Sequence, residues 1–456
     1  MTMDLQLHNT LTGGVEPFTP AAPPEVRMYV CGLTVYSRGH VGNYRSFVAT
    51  DLLRRTLRYK GYRVKEVMNI TDVDDRIIQL AAEAGSDLGS FTADHIASFK
   101  EDMAALRIEF PEMVPRATEH IEEMKALIAR LIERGHTYTA DGSVYFRISS
   151  FPEYGRLSRL DVSGIKAGAR VDTDKYDKEN ARDFVLWKAK EDEPEWAQWD
   201  APFGRGRPGW HIECSAMSMK YLGETFDLHC GGIDLVFPHH ENEIAQTEAA
   251  RGRPLSRTWM HNGMVQMGEE KMAKSVGNIR LLHGALDEYG RDALVMWMVG
   301  AHYRKPVAYS EEALEDASRA VDRVRDVIRR LDPEGAPLPD DGRLADAFFD
   351  ALSDDFNTPQ ARATLFDWVA DANRQLEQGG AVAPGSLPEM LHALGLESLL
   401  EAEDDAPEEL QRLAAERDEA RAARDFDRAD EIRDRLAGEG WEIRDTPEGA
   451  RLVRRS

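Results

Sequence analysis

One segment of this sequence, residues 27–45, constrains the fold more than any other. Its first half is rich in β-branched and aromatic residues, which predicts a buried strand over 27–36. Glycines around His40 interrupt that run, and apolar residues at helical spacing then predict a helix over 43–60. A strand, a glycine-bearing turn and a helix together aim free N–H groups at a phosphate. The segment alone is equally compatible with an ordinary βα unit.

The next segments extend this pattern. A strand over 63–70 and a helix over 74–84 continue the alternation, which is typical of a parallel, doubly wound sheet. Polar residues at 69–75 follow the second strand, and ligands of such sheets bind at the carboxyl ends of strands. We therefore predict an α/β fold with its site at this edge.

The rest of the chain divides into an insertion, a return to the sheet, and helices. From about 115 to 205 we predict a helix at 117–135, short strands within 137–148 and a charged loop up to Trp199. The sheet pattern resumes at Trp210. The later predicted elements are a strand at 224–229, helices at 291–300, 311–331, 343–354, 359–377, 387–399, 408–423 and 428–437, and strands at 441–444 and 450–453.

Composition limits the class of protein. Hydrophobic residues make up 42% and charged residues 30%, as in soluble globular proteins. The net charge of −24 argues against a general nucleic-acid binder but leaves room for a local basic face. The first residues lack the basic and apolar regions of a signal peptide, and no apolar run predicts a membrane helix. Three scattered cysteines are not a disulfide framework, so we expect a reducing cytoplasm.

Several residues could hold a metal ion, and the ones we favour are Cys31, Cys214, His239 and Glu243. His239 and Glu243 are four residues apart in a helix predicted to begin at Pro238, so both face the same way. The cysteines come from distant segments without a Cys-x-x-Cys pair, so each could be a buried apolar residue instead. His240 and Cys230 remain rival ligands. Two thiolates, an imidazole and a carboxylate would suit zinc.

An ordered set of motifs resembles those of the bacterial-type cysteinyl-tRNA synthetases, a class I family. The motifs are residues 31–36, 40–43, 69–75, 206–217, 237–243, 271–275 (Lys-Met-Ala-Lys-Ser) and 354–359, with 424–430 and 443–449 resembling the anticodon-binding end of the family. The resemblance implies a Rossmann-like doubly wound catalytic domain with an insertion, an all-α helical bundle and a small α/β tail. The implied segments are 1–114 (catalytic domain, first half), 115–205 (connective insertion), 206–257 (second half, with the zinc ligands), 258–310 (stem-contact region), 311–400 (helical bundle) and 408–456 (anticodon-binding tail).

The same resemblance implies the chemistry of the site. One zinc ion per subunit would be held by the four favoured residues and would bind the thiolate of substrate cysteine. Zinc separates a thiolate from the hydroxyl of serine, which a pocket of fixed shape rejects poorly. The residues implied to line the cysteine pocket are Thr34, Thr71, Trp210, His229 and Asp234, with Asp234 as the partner of the substrate ammonium.

The resemblance also implies the residues of the ATP step. They are His40, Asn43, Lys271 and Lys274, of which His40, Asn43 and Lys274 would bind ATP together with its Mg²⁺. Asn43 replaces the second histidine of the class I signature, so it would act by hydrogen bonding. Ala273 replaces a serine in the lysine-containing loop and leaves both lysines. The carboxylate of cysteine would attack the α-phosphorus, and the adenylate would pass to the terminal ribose of tRNA(Cys).

The tail carries a local density of arginines: Arg417, Arg421, Arg424, Arg428, Arg433, Arg435, Arg444, Arg451, Arg454 and Arg455. Arginine can pair with phosphate and stack on bases, although ion pairs with interleaved residues such as Glu416 and Glu419 are the alternative. Three other functions remain open. They are a cysteine ligase of the mycothiol type, which would lack this tail, a non-catalytic RNA-binding paralogue, and a purely structural zinc. We expect a monomer.

Overall fold

The structure is a computed structural model and describes residues 4–159, 183–190, 192–268, 270–272, 277–401, 407–423, 425–439, 441–446 and 449–454. Its strands are β1 (Gln6–Asn9), β2 (Gly14–Pro17), β3 (Glu25–Val30), β4 (Arg63–Met68), β5 (Thr137–Ala140), β6 (Ser143–Phe146), β7 (Phe184–Lys188), β8 (Arg207–Pro208), β9 (Phe226–Gly232), β10 (Ser256–Asn262), β11 (Val265–Met267), β12 (Glu270–Lys271), β13 (Val307–Ala308), β14 (Trp441–Thr446) and β15 (Gly449–Arg454). Its α-helices are α1 (Val41–Tyr59), α2 (Asp75–Glu83), α3 (Leu88–Ala105), α4 (Ile121–Glu133), α5 (Trp210–Leu222), α6 (Glu241–Arg251), α7 (Leu282–Tyr289), α8 (Arg291–Val299), α9 (Glu311–Ile328), α10 (Asp341–Ser353), α11 (Thr358–Glu377), α12 (Leu387–Ala393), α13 (Glu408–Ala422) and α14 (Phe426–Gly438).

A four-stranded parallel sheet in the order β10–β9–β3–β4 lies at the centre of the first part of the chain. In β3, Tyr29 lies opposite both His229 of β9 and Val67 of β4. α1 connects β3 to β4 and buries an apolar face that includes Phe47 and Leu52. The parallel α/β fold predicted from the alternating pattern is confirmed.

The first predicted strand is too long, because the ladder ends at Val30 rather than at residue 36. After Val30 the chain turns toward the segment that follows β4. The Gly32 N–H donates to Oδ1 of Asn69, and the Val35 N–H donates to the carbonyl of Thr71. A Cβ on Gly32 would lie 1.8 Å from the Asn69 carbonyl oxygen, so this close approach requires glycine.

The insertion contains a strand that the sequence reading missed. Residues 184–188 form β7 within a passage predicted as a charged loop, and they pair antiparallel with β6 in a separate four-stranded sheet. The short apolar run of β7 is stabilised by this long-range pairing, which local composition does not reveal. Likewise, the residues after Trp210 form the helix α5, and the helices α3 and α7 were not predicted.

The second half of the chain is helical, as predicted. Helices α9 to α12 agree with the predicted bounds to within a few residues, except that Gly395, with a φ of +67°, ends the predicted helix 387–399. The tail helices α13 and α14 pack with the hairpin β14–β15 around Leu410, Ile432 and Trp441. Among the described residues, none of the helices is both long and apolar enough to cross a bilayer.

Candidate active site

A cavity of about 370 Å³ opens where β3, β9 and β10 end. Cys31, Gly232 and Asn262, which lie at or just beyond those carboxyl ends, all line it. His40 and Asn43, at the start of α1, line the opposite part of the same cavity. The site therefore lies at the edge of the sheet at which ligands of parallel α/β folds bind.

At one end of the cavity the four favoured metal ligands come together. The ligand atoms of Cys31, Cys214, His239 and Glu243 all lie within 4.8 Å of one another. The Sγ atoms of Cys31 and Cys214 are 3.7 Å apart, and Nε2 of His239 is 3.2 Å from Oε1 of Glu243. Cys31 follows β3, Cys214 is in α5, Glu243 is in α6, and His239 lies in the distorted turn Val236–His240 just before α6.

These distances fit a tetrahedral zinc site. Zn–S bonds of about 2.3 Å place two thiolates about 3.8 Å apart, and bonds of about 2.1 Å to nitrogen and oxygen place those atoms about 3.4 Å apart. The observed separations of 3.7 Å and 3.2 Å are close to both values. Two sulfur, one nitrogen and one oxygen donor are also a ligand set that zinc accepts.

Of the two rival ligands, only His240 belongs to a candidate ligand group of the described residues. Cys230 points away from the cluster, toward a small cavity lined by Ala49, Leu53 and Met260, and belongs to neither candidate ligand group of the described residues. His240 remains a rival, because Cys31, His229, His240 and Glu243 form a second candidate group. Its Nε2 lies 3.3 Å from Sγ of Cys31. Only the first group contains two thiols.

In the absence of a cation, burial favours the neutral forms of the titratable side chains in this cluster. It raises the pKa of the Cys31 thiol well above its usual value, and the nearby Cys214 and Glu243 add to this shift. Burial also raises the pKa of the Glu243 carboxyl and lowers that of His239, which His211 and His229 lower further. A bound divalent cation would reverse these preferences for the thiol and the carboxyl.

A layer of histidines surrounds the candidate ligands. His229 Nε2 lies 3.0 Å from Oε2 of Glu243, and His211 Nδ1 lies 3.0 Å from Nδ1 of His239. His240 Nδ1 lies 2.7 Å from Nε2 of His261. Such partners orient metal ligands by fixing their tautomers and ring planes.

A chain of buried hydrogen bonds links the segments of the two cysteines. The Gly32 N–H donates to Oδ1 of Asn69, whose Nδ2 lies 3.2 Å from Oγ1 of Thr71. The Thr71 hydroxyl donates to Oε2 of Glu213 at 2.9 Å. Gly32 follows Cys31 and Glu213 precedes Cys214, so the chain fixes both cysteine-bearing segments.

The residues predicted for the cysteine pocket lie in two layers. Thr34, Trp210 and Asp234 line the cavity, and the Trp210 ring centroid lies 4.3 Å from that of His239. Thr71 and His229 are buried behind that surface, where they contact Glu213 and Glu243. Direct contact of those two residues with a substrate remains a prediction.

The other end of the cavity is built around the N-terminus of α1. His40 is the residue that precedes the helix, and its N–H donates to Oδ1 of Asn43 at 3.0 Å. This bond uses Oδ1 of Asn43, so its amide group is the part that would donate to a ligand, and that role remains a prediction. The Val41 N–H donates to the carbonyl of Arg280, which joins the helix start to the segment after the lysine-containing loop.

The two lysines are only partly covered by the structure. Lys271 ends β12, and the neighbouring Met272 lines the cavity, so the lysine-containing loop begins beside the cavity. The side chain of Lys271 and the whole of Lys274 lie outside the described residues.

Of the tail arginines named above, the structure describes the side chains of five, and four of these are engaged with carboxylates. Arg417, Arg428, Arg433 and Arg435 each lie within ion-pair distance of an aspartate or glutamate. This agrees with the alternative that the tail arginines form helix ion pairs, although exposed pairs are weak and phosphates can compete for them. Arg424 and Arg455, and the side chains of Arg444, Arg451 and Arg454, lie outside the described residues.

Sequence reasoning missed His211, Glu213 and Arg45. His211 had a usable signal, because it lies three residues before Cys214 on a helix and therefore faces the same side. Glu213 lies within the motif 206–217 and Arg45 ends the segment 27–45, but nothing in their spacing indicates the atoms that they contact.

Comparison with known proteins agrees with this site. Residues 17–319 match the tRNA synthetases class I (C) catalytic domain, and residues 347–396 match the DALR domain. Among similar proteins, the cysteine–tRNA ligase of Alkalilimnicola ehrlichii is 47% identical over 98% of both chains. The cysteine–tRNA ligase of Halorhodospira halophila is 46% identical over 99% of both.

Solved structures with the same fold include other class I synthetases. Methionyl-tRNA synthetase of Mycobacterium tuberculosis in complex with methionyl-adenylate has a TM-score of 0.58 at 18% identity, covering 82% of this chain and 88% of that one. The Agrobacterium radiobacter LeuRS in a ternary complex with tRNA and LeuAMS has a TM-score of 0.58 at 13% identity, covering 85% and 87%. At these identities the likeness establishes the fold. The full-length similarity and the catalytic-domain match together place this chain in the cysteine–tRNA ligase family of the class I aminoacyl-tRNA synthetases.

Proposed function

We propose that this enzyme activates L-cysteine with ATP and transfers it to the 3′ end of tRNA(Cys). The observation that carries the proposal is one cavity that joins Cys31, in the four-residue cluster, to His40 and Asn43 at the start of α1. One end offers ligands for a thiophilic metal, and the other offers phosphate-binding groups. Cysteine and ATP could therefore lie side by side.

Cysteine would be selected by chemistry rather than by shape. One zinc ion per subunit, held by Cys31, Cys214, His239 and Glu243, would prefer the soft, ionised thiolate of cysteine to the hydroxyl of serine. The four ligand atoms come from three separate segments, and the hydrogen-bonded chain from Gly32 to Glu213 supports two of these segments. Cys31 also lines the cavity, which leaves the proposed metal within reach of a substrate.

The remaining pocket residues would orient the amino acid. The Asp234 carboxylate lines the cavity and would pair with the substrate ammonium. Trp210 and Thr34 would bound the side chain and the backbone of the substrate. Thr71 and His229 would act from the second layer through Glu213 and Glu243.

The ATP step would depend on positioning and on cations. The substrate carboxylate would attack the α-phosphorus in line while charge accumulates on the phosphates. His40, the Asn43 amide group and the N-terminus of α1 would donate to them, with Mg²⁺ arriving on ATP. Lys271 and Lys274 would stabilise the leaving pyrophosphate.

The tail favours tRNA as the acceptor over an amino sugar. A ligase of the mycothiol type would lack an anticodon-binding end, whereas here α13, α14 and the β14–β15 hairpin form a small α/β unit with its own core. The matched cysteine–tRNA ligases also align over 98% or more of their own length. We further propose a monomer and a cytoplasmic location, which suits three free thiols.

The test is pyrophosphate exchange by purified protein with ATP and each amino acid, with and without a zinc chelator. We expect exchange with cysteine alone, lost on chelation and restored by zinc. Charging of tRNA(Cys) but not of an amino sugar would then assign the acceptor. Folded, zinc-loaded protein that supports no exchange with any amino acid would contradict the proposal and favour a non-catalytic RNA-binding paralogue.

A further inference from the structure

Arg45 is a buried cation whose described partners are all backbone carbonyls. It lies in the second turn of α1, and only 3% of its surface is exposed. Its Nη1 donates to the carbonyls of Gly263 at 2.7 Å and Met264 at 3.0 Å. Its Nη2 donates to the carbonyl of Lys305 at 2.6 Å, and the carbonyl of His302 lies at 3.5 Å. We call this arrangement the Arg45 clamp.

This position is unfavourable for a cation. Burial lowers the pKa of Arg45 to about 10. The helix dipole disfavours positive charge close to a helix N-terminus, and no described carboxylate lies close enough to Arg45 to compensate. A methionine could fill a similar volume without this cost. The guanidinium instead bonds to carbonyls of two backbone segments, which a methionine could not do, and these bonds are what the buried charge provides.

The clamp holds the wall of the cavity that leads to the lysine-containing loop. Gly263 and Met264 connect β10 to β11, and both line the cavity. From Met264 the chain continues directly into the β11–β12 hairpin, which ends at Lys271. The carbonyls of Gly263 and Met264 lie in the break between two strands. They also accept hydrogen bonds from Nδ2 of Asn262 and from the Val307 N–H, and Arg45 adds a further donor to each.

The opposite side of this wall is equally constrained. The Gly263 N–H donates to the carbonyl of Tyr303, and a Cβ on Gly263 would lie 2.3 Å from the carbonyl oxygen of Lys305. β11 then pairs in parallel with β13, just beyond Lys305. Arg45 thus binds two backbone segments that already contact each other and ties both to α1.

Asp355 anchors the far side of the 302–305 turn. Its Oδ1 accepts a hydrogen bond from the Tyr303 hydroxyl at 2.9 Å, and its Oδ2 accepts one from Nε of Arg304 at 2.8 Å. Asp355 belongs to the motif at 354–359, to which the proposed chemistry gives no role. The turn is therefore held between the helical region and the Arg45 clamp.

We propose that Arg45 is a positioning residue for the ATP step, because it holds the Gly263–Met264 wall and the β11–β12 hairpin at a fixed distance from His40 and Asn43. This inference rests on the proposed function and adds a residue that does not itself touch substrate. The groups on the two sides of the cavity must meet the same triphosphate, and small misplacement of such groups slows a reaction strongly.

The chemistry of arginine suits this task better than that of lysine. The planar guanidinium carries five donors in a rigid fork, so it can bond to carbonyls of two segments at once. A lysine ammonium at the same place would keep the charge but could not span both segments. Arg45→Lys therefore separates positioning from electrostatics.

The test compares Arg45→Met and Arg45→Lys with Arg251→Met and Arg251→Lys. Arg251 is a matched control, because it is also partly buried and donates to the carbonyls of Thr247 and Glu224, but lies outside the cavity lining. We expect kcat for pyrophosphate exchange to fall by about 30-fold in Arg45→Met and by about 10-fold in Arg45→Lys. We expect zinc content and the KM for cysteine to stay within about twofold, and the Arg251 variants to match wild type.

Hydrogen exchange provides a readout that does not need activity. Backbone amides of 264–272 should lose protection in both Arg45 variants without ATP, while those of α5 keep it. If Arg45→Met does not fold, Gly263→Ala perturbs the same wall from the other side and should give the same pattern.

Three results would overturn the inference. Wild-type kcat in Arg45→Met would show that the clamp does not affect the ATP step. Wild-type kcat in Arg45→Lys would assign the effect to charge alone. An equal loss of zinc, cysteine affinity and kcat would indicate a general structural role. If the wild-type protein supports no exchange with cysteine, the proposed function fails. The protection of 264–272 then still decides whether the clamp exists.

Discussion

The two ends of the cavity are built by different means. The metal end consists of side chains, and Cys214, His239 and Glu243 are almost completely buried there. The nucleotide end, where we propose that ATP binds, consists largely of backbone and of the half-buried residues His40 and Asn43. One end carries sulfur and imidazole donors in a dry environment, and the other carries N–H donors that face solvent.

This difference indicates which end of the cavity selects the amino acid and which end positions the reacting groups. A dry cluster of soft donors can distinguish one atom type from another, because the metal it would hold prefers sulfur. The nucleotide end faces a ligand that every class of ATP-dependent enzyme shares, so its task is to place charge and donors correctly. We therefore expect mutations at the metal end to change which amino acid reacts, and mutations at the nucleotide end to change only the rate.

The largest effect is expected for Cys214→Ser. Loss of one thiolate should release zinc and lower exchange with cysteine by more than about 100-fold, because even residues behind the ligands contribute 10- to 100-fold. The preference for cysteine over serine should disappear together with zinc. Metal analysis and exchange with both amino acids would measure this.

Cys230→Ser is the matched control for that variant. This cysteine is equally buried but points to a separate cavity, so the serine should cost about 1–3 kcal/mol of stability and leave zinc in place. A Cys214→Ser protein that loses zinc yet keeps the same preference for cysteine would contradict the assignment of selectivity to the metal.

His40→Ala is expected to have the next largest effect, of about 100-fold on the rate of exchange, because it removes a donor to the developing charge. Zinc content and discrimination against serine should remain as in wild type. The control is His136→Ala, in which the lost side chain bonds to Ser150 in the insertion. A change in amino-acid preference in His40→Ala would break the proposed separation of the two ends.

A smaller effect is expected for Glu213→Gln, which alters the end of the hydrogen-bonded chain between the two cysteine segments. Zinc affinity should fall by about 10-fold, since the chain orients the ligands without contacting the metal. Competition with a chromophoric chelator measures this affinity. The control is Glu66→Gln. Glu66 is a buried residue of β4 whose carboxylate pairs with Arg54, and its replacement should leave zinc affinity unchanged. Equal effects of the two variants on zinc affinity would exclude a specific role for the hydrogen-bonded chain from Gly32 to Glu213.

The smallest effect is expected for Asp355→Asn, far from both ends. It weakens the bonds to Tyr303 and Arg304 and should lower the free energy of unfolding by about 2 kcal/mol. Through the 302–305 turn it should slow exchange by about threefold without changing zinc content. Denaturant unfolding and exchange kinetics on the same preparation provide both values. Unchanged exchange in a destabilised protein would separate this turn from the nucleotide end.

Much of the fold could be predicted from the sequence, because strands β3 and β4 and helices α1 and α9 carry clear periodic patterns. The four favoured metal ligands also lie together, although no spacing rule joins Cys31 to Cys214. The strand β7 could not be predicted, since its stability comes from pairing with β6 across the chain. The Arg45 clamp could not be predicted either, because backbone carbonyls are present at every residue and leave no signature in the sequence.

The central claim is that the metal at the buried end selects cysteine by binding its thiolate. X-ray absorption at the zinc edge, recorded with and without cysteine, tests it most directly. We expect two sulfur ligands in the free enzyme and a third when cysteine is added, with no change on addition of serine. A spectrum that stays the same while cysteine binds would make the metal structural and contradict the account.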